Sequence, residues 1–127
     1  EVWAHGGAGG EDLARKVVAA IDTQPNNFAY AYDANDSIRD KLRTIATRIY
    51  GASGVEFSAE AQAEAASLEK LGLDKLPVCV AKTQYSFSTD PKALGAPEGF
   101  TVPIREVRLS AGAGFVVLIS GSITRIA

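Results

Sequence analysis

Apolar positions recur along this chain with two different periods. In residues 12–21, Leu13, Val17, Val18 and Ile21 form a helical stripe, with Arg15 and Lys16 outside it. Pro25-Asn26-Asn27 ends that pattern. Residues 28–32 alternate aromatic and small side chains, which predicts a strand. A polar turn over 33–36 leads to Ser37, an N-cap residue with Asp40 three positions on, as in a capping box with a shorter acid. Ile38, Leu42, Ile45 and Ile49 then follow at spacings of four, three and four, the clearest helical signal in the chain. Gly51 stands where a helix ends on a C′ glycine.

Val55-Glu56-Phe57 predicts a short strand, and Ser58 caps an Ala- and Glu-rich helix that runs to Lys70 and stops at Gly72. Residues 76–81 are a short apolar run between turn signals, the pattern of a strand buried on both faces. Residues 82–99 show no period and hold two Pro and two Gly, so they predict a long loop. Residues 101–109 and 115–120 predict two strands joined by the turn 110–114, and Pro103 marks the first as an edge strand or a bulged one.

Strands alternating with helices of this length predict a three-layer α/β fold, a mostly parallel (mixed) sheet with helices on both faces. The last two strands are expected to add an antiparallel hairpin. With 127 residues there is room for one domain, 1–127, and for one core.

Composition narrows the function classes. An apolar fraction of 46% and a charged fraction of 22% exclude a disordered tail. The longest apolar run, 115–119, is far short of the roughly 20 residues a membrane helix needs. Thirteen Lys and Arg against fifteen Asp and Glu give a net charge of −2, so nothing pulls the chain toward nucleic acid or anionic lipid. One Cys permits no internal disulfide and suits a reducing compartment. The sequence lacks Met, including at position 1, and Glu1-Val2-Trp3 reads as the end of a strand already under way. The expectation is a fragment or processed piece of something longer.

Four segments invite chemistry. Gly6-Gly7-Ala8-Gly9-Gly10 sits before a helix, where backbone N–H groups and the helix dipole suit an anion. Neither phosphate-loop pattern is present, however, and Glu11 and Asp12 follow where a phosphate loop has Lys. A tight turn is the plainer reading. Trp3, the only Trp, is either a core anchor or a flat stacking surface beside that turn. Lys82, Thr83 and Gln84 follow a buried strand directly, supplying one cation and several hydrogen-bonding groups where open α/β folds place ligands. The plainer alternative is a solvated loop pinned by Tyr85 and Phe87. Cys79, in an apolar strand, reads as a buried small hydrophobe. With His5 the only His, no Ser–His–Asp or Cys–His site can be assembled elsewhere, and no residue cluster has metal-ligand spacing.

Leu76-Pro77-Val78-Cys79-Val80-Ala81-Lys82-Thr83-Gln84-Tyr85-Ser86-Phe87-Ser88 resembles the L-P-V-C-x-A-K-T-Q-Y-S-x-S segment of formate–tetrahydrofolate ligases, the 10-formyltetrahydrofolate synthetases. Val2-Trp3-Ala4 with its glycines resembles V-W-A-x-G-G-x-G-G, and Ile49-Tyr50-Gly51-Ala52 resembles the end of I-A-x-x-I-Y-G-A. Leu94-Gly95-Ala96-Pro97 resembles L-G-x-P, and residues 105–115 resemble R-E-V-R-L-S-A-G-A-G-F. The resemblance implies an ATP-dependent ligase that joins formate to tetrahydrofolate through formyl phosphate, with tetrahydrofolate and ATP as substrates. It implies a longer, homo-oligomeric, cytoplasmic enzyme of which residues 1–127 are the C-terminal folate-side domain.

By that resemblance Trp3 stacks on the pterin, Gly6 and Gly7 let ligand approach, and Lys82, Thr83 and Gln84 line the folate cleft. The phosphate loop and the residues that hold formyl phosphate lie upstream. No catalytic residue is therefore expected here, no cofactor is expected to be held by the fragment alone, and the 127 residues are expected to be inactive by themselves. Three departures stand out. Ala8 stands where Glu is frequent and His5 where Lys is common. The end, 121–127, departs from G-x-I-M-x-M-P-G-L-P, so part of the folate-side wall is expected to be missing. The alternatives are a stand-alone pterin-binding module and a structural or assembly domain without catalysis.

Overall fold

A computed structural model describes residues 1–121. The sequence departure over 122–127 lies outside the described residues.

Two well-capped helices organise the body. Helix α3 spans Ile38–Arg48, and the Ser37 hydroxyl accepts the Asp40 N–H, which satisfies an otherwise orphaned donor. At its other end Gly51 takes φ +76, and the Ala52 N–H reaches the Ala46 carbonyl at 2.9 Å. The Tyr50 N–H also turns back, to the Ile45 carbonyl at 3.2 Å, so the helix closes on a left-handed glycine with its last carbonyls satisfied. Helix α4 spans Ala59–Lys70, capped by the Ser58 hydroxyl on the Ala61 N–H. It ends before Gly72 at φ +72, as its sequence predicts.

Five strands are present: β1 (Gly54–Phe57), β2 (Val78–Ala81), β3 (Thr101–Ile104), β4 (Glu106–Ser110) and β5 (Phe115–Ile119). The α/β class is borne out, with the mixed sheet present in two pieces. β1 pairs β3 in parallel, and the second piece has the order β2-β5-β4, with β2 parallel and β4 antiparallel to β5. The expected antiparallel hairpin is the β4–β5 pair, turned through Ala111–Ala113 with Gly114 at φ +69. The single strand read over 101–109 is divided at Arg105, so β3 serves one sheet and β4 the other. Pro103 lies in β3, which pairs only with β1, so its missing N–H breaks no ladder.

The core collects the stripe of α3 (Ile38, Leu42, Ala46), Ala61 and Ala65 of α4, and the inward positions of the strands, among them Phe57, Val102, Ile104, Val116 and Leu118. Each large aliphatic group buried there contributes roughly 1.5–3 kcal/mol relative to an exposed position. The period-two burial of β3 and β5 is the alternation a half-buried strand shows.

Three expectations are overturned. Glu1-Val2-Trp3 is not a strand end, because Val2–His5 is one turn of helix, α1, and Gly6–Gly10 is a 3₁₀ turn. A strand needs a neighbour to satisfy its ladder. Without one here, local bonds such as His5 N–H to Glu1 C=O at 3.0 Å do so instead. Residues 28–32 form no strand for the same reason. The Phe28 N–H goes to Asn26 Oδ1 at 3.0 Å, and Phe28 and Tyr30 pack edge to face. Third, β2 is covered on one face only, leaving Cys79 exposed rather than buried.

The predicted helix over 12–21 is present as α2, Glu11–Thr23, but none of its residues is buried. Its first turn carries the exposed pairs Glu11–Arg15 and Asp12–Lys16. Among the described residues no helix is long and apolar enough to cross a membrane.

Candidate functional site

The parallel strand β2 delivers its carboxyl end into the 82–99 loop, the position where open α/β sheets bind ligands. The loop is ordered by its own backbone. The Phe87 N–H donates to Gly95 C=O at 2.8 Å, and the Gly95 N–H donates to Tyr85 C=O at 3.1 Å. Beneath it, the Ser86 and Ser88 hydroxyls are buried and bonded to each other at 2.9 Å. The result is an open cavity of about 370 Å³ lined by Lys82, Thr83, Gln84, Tyr85, Phe87 and Ala96, with Ser86 and Gly95 completing it. That volume falls within the range of ordinary small-molecule sites.

Lys82 is the most constrained group of the wall. Its ammonium donates to the carbonyls of Ser86 and, at 3.3 Å, Thr83. It also lies over the Tyr50 ring, 4.9 Å from its centroid, and 5.8 Å from that of Phe87. The two rings stack on each other at 5.8 Å. Burial lowers the Lys82 pKa from the ordinary lysine value, because desolvation penalises the charged form. Burial likewise raises the Tyr50 phenol, with the nearby Cys79 adding to the rise.

Of the residues singled out in the sequence, Lys82, Thr83 and Gln84 are brought together here. Trp3, Gly6 and Gly7 are not part of this wall. Trp3 is 95% exposed, so it is no core anchor, and open space surrounds both glycines where a Cβ would stand. Gly9 is the constrained one, since a Cβ there would come within 2.1 Å of the Glu1 carbonyl oxygen. That close approach is what a tight turn needs, and it favours the plainer reading of the glycine run.

Tyr50 and Phe87 were missed as site residues. Tyr50 follows the last position of the α3 stripe, and nothing local announces that it will meet a loop nearly forty residues on. Lys41 was also missed. It is fully buried on α3 and donates to the carbonyls of Asp74 and Leu76. Here a signal existed, since position 41 falls three residues after Ile38 on the inward face.

A larger concavity, about 750 Å³, opens between Tyr30, Tyr32 and Arg48. Its acids are engaged locally, Asp33 by the Asn35 N–H and side chain, and Asp36 by the Asp33 N–H. Those Asn35 hydrogen bonds lower the Asp33 pKa. Among the described residues no three His, Cys, Asp or Glu side chains are grouped to hold a metal.

Comparison with known sequences gives the context for this geometry. The sequence model of the family described as formate–tetrahydrofolate ligase matches residues 1–127. A curated formate–tetrahydrofolate ligase of Psychrobacter sp. (strain PRwf-1) is 53% identical over 128 residues, covering 98% of this chain. The chain spans only 22% of that relative's length.

Proposed function

The chain belongs to the formate–tetrahydrofolate ligase family, and from that premise we propose that it is the C-terminal, folate-side domain of such an enzyme. The reaction joins formate to tetrahydrofolate at the expense of ATP. Phosphoryl transfer to formate gives formyl phosphate and ADP. The N10 amine of tetrahydrofolate then attacks the formyl carbon, the C–O bond to phosphate breaks, and N10 gives up its proton as phosphate departs. ATP and tetrahydrofolate are substrates, and the groups that bind ATP and activate formate belong to other parts of the longer, cytoplasmic, homo-oligomeric protein. Residues 1–127 by themselves do not ligate.

The observation that supports a binding role is the convergence of Lys82, Thr83 and Gln84 on one cavity at the carboxyl end of a parallel strand. In this reading Gln84 and Thr83 offer amide and hydroxyl groups to a polar ring edge. Trp3, with Gly6 and Gly7, supplies a stacking face from a separate element. Such a face adds about 1 kcal/mol beyond area burial.

The test uses the complete ligase carrying Gln84→Ala. The KM for tetrahydrofolate is expected to rise about tenfold, as for loss of a buried polar contact, with the KM for ATP unchanged. A rise in the KM for ATP alone would assign the cavity to the nucleotide and sink the folate reading. Trp3→Ala is expected to raise the same KM independently.

A further inference from the structure

Lys82 looks like the obvious cation for an anionic ligand, but its surroundings argue otherwise. An ammonium has three N–H donors and no acceptor. Two of the three are directed to the Ser86 and Thr83 carbonyls, and the Tyr50 ring face stands 4.9 Å away to receive the third. Three partners thus surround an ammonium that has three donors. We infer that Lys82 is a positioning residue, which ties the 83–87 segment to the end of α3 so that Thr83 and Gln84 face the ligand, and does not touch the ligand itself.

The connection is mechanical. Tyr50 is held at the end of α3 by its N–H bond to the Ile45 carbonyl, and it stacks on Phe87. Lys82 sits against both rings and holds the carbonyl immediately before Phe87. Helix end, ring pair, ammonium and loop backbone therefore move as one unit. Without the charge, the Ser86 carbonyl loses its donor, and the bonds between Phe87, Gly95 and Tyr85 are left to hold the loop alone. A cation–π contact with a partly desolvated ammonium is strong enough to matter for such a segment.

Only the identity of the ligand rests on the folate reading above. The first test needs no ligand: amide hydrogen exchange on the complete ligase, wild type against Lys82→Met. The Phe87 and Gly95 amides are expected to exchange about tenfold faster in the variant, while the amides of α3 and β5 are unchanged. Unchanged exchange in the loop would overturn the inference. Should Lys82→Met fail to fold, Lys82→Gln is read in the same way.

The second test compares affinities for tetrahydrofolate and for tetrahydropterin, which lacks the glutamate tail. A positioning role weakens both by the same factor, about tenfold. Loss confined to tetrahydrofolate would mean that Lys82 contacts the tail carboxylates, and would overturn the inference. If tetrahydrofolate does not slow loop exchange in the wild type, the folate assignment of the cavity fails, and the ligand-free comparison still decides the role of Lys82.

Discussion

The Lys41 ammonium donates to the Leu76 carbonyl at 3.1 Å, a bond from the inner face of α3 to the residue that leads into β2. A second bond to the Asp74 carbonyl and the Tyr32 ring at 5.8 Å complete its surroundings. Burial lowers its pKa, the nearby Asp74 opposing that shift. The cost of burying this charge is offset by the charge-assisted bonds it donates to two backbone carbonyls.

Lys41→Ala is therefore expected to cost about 3 kcal/mol, since it strands two carbonyls and leaves a cavity where the lysine stem lay. Urea denaturation followed by circular dichroism measures this. A loss below about 0.5 kcal/mol would show that Lys41 is not part of the core.

Ser58 does two jobs. Its hydroxyl accepts the Ala61 N–H at 3.0 Å to cap α4, and it donates to the Arg105 carbonyl at 3.1 Å where β3 gives way to β4. Ser58→Ala is expected to cost about 1–2 kcal/mol, at the upper end for a cap because the strand break loses its donor too. The Ser37 hydroxyl donates only within its own capping turn, to Asp40 Oδ2 at 2.7 Å, so Ser37→Ala is expected to cost less, and the same denaturation series ranks the two.

Tyr50 sets a pH dependence. Its phenol pKa is raised above 10.0 in the folded chain, so between that value and the folded pKa the native state holds more protons than the unfolded one. Stability from this group is complete below pH 10 and falls as the pH climbs through the folded value. Denaturation midpoints for wild type and Tyr50→Phe are expected to differ in slope over that alkaline window, the wild type falling more steeply. Parallel slopes would show that folding does not desolvate the Tyr50 phenol.

Cys79 is exposed on β2. The native chain is expected to react with one equivalent of a thiol-specific disulfide reagent without denaturant. Protection of the thiol until unfolding would contradict the open face of the sheet.

Trp3 is 95% exposed, so Trp3→Ala is expected to change the stability of this chain by less than about 0.5 kcal/mol. Thermal unfolding of the two proteins checks it.

Much of the fold was legible because its signals are local. Ser37 with Asp40, Ser58, Gly51 and Gly72 mark helix ends within a few residues, and the stripe from Ile38 to Ile49 needs only the helical period. The family was legible from the motif around Lys82. The partners of Lys82 were not. Tyr50 precedes it by more than thirty residues and lies on another element, so no window of sequence contains both.

By itself, then, the sequence determined the α/β class, the two capped helices, the closing antiparallel hairpin and the family, all of which rest on short-range periodicity and on motifs read in one stretch. Tertiary structure decided the rest. It left Glu1-Val2-Trp3 and residues 28–32 outside any sheet, split the strand at Arg105, exposed Cys79 and buried Lys41. The reason is common to all of these. Whether a strand forms, or a side chain loses its water, depends on which surface arrives from elsewhere in the chain, and that is a property of packing rather than of any local pattern.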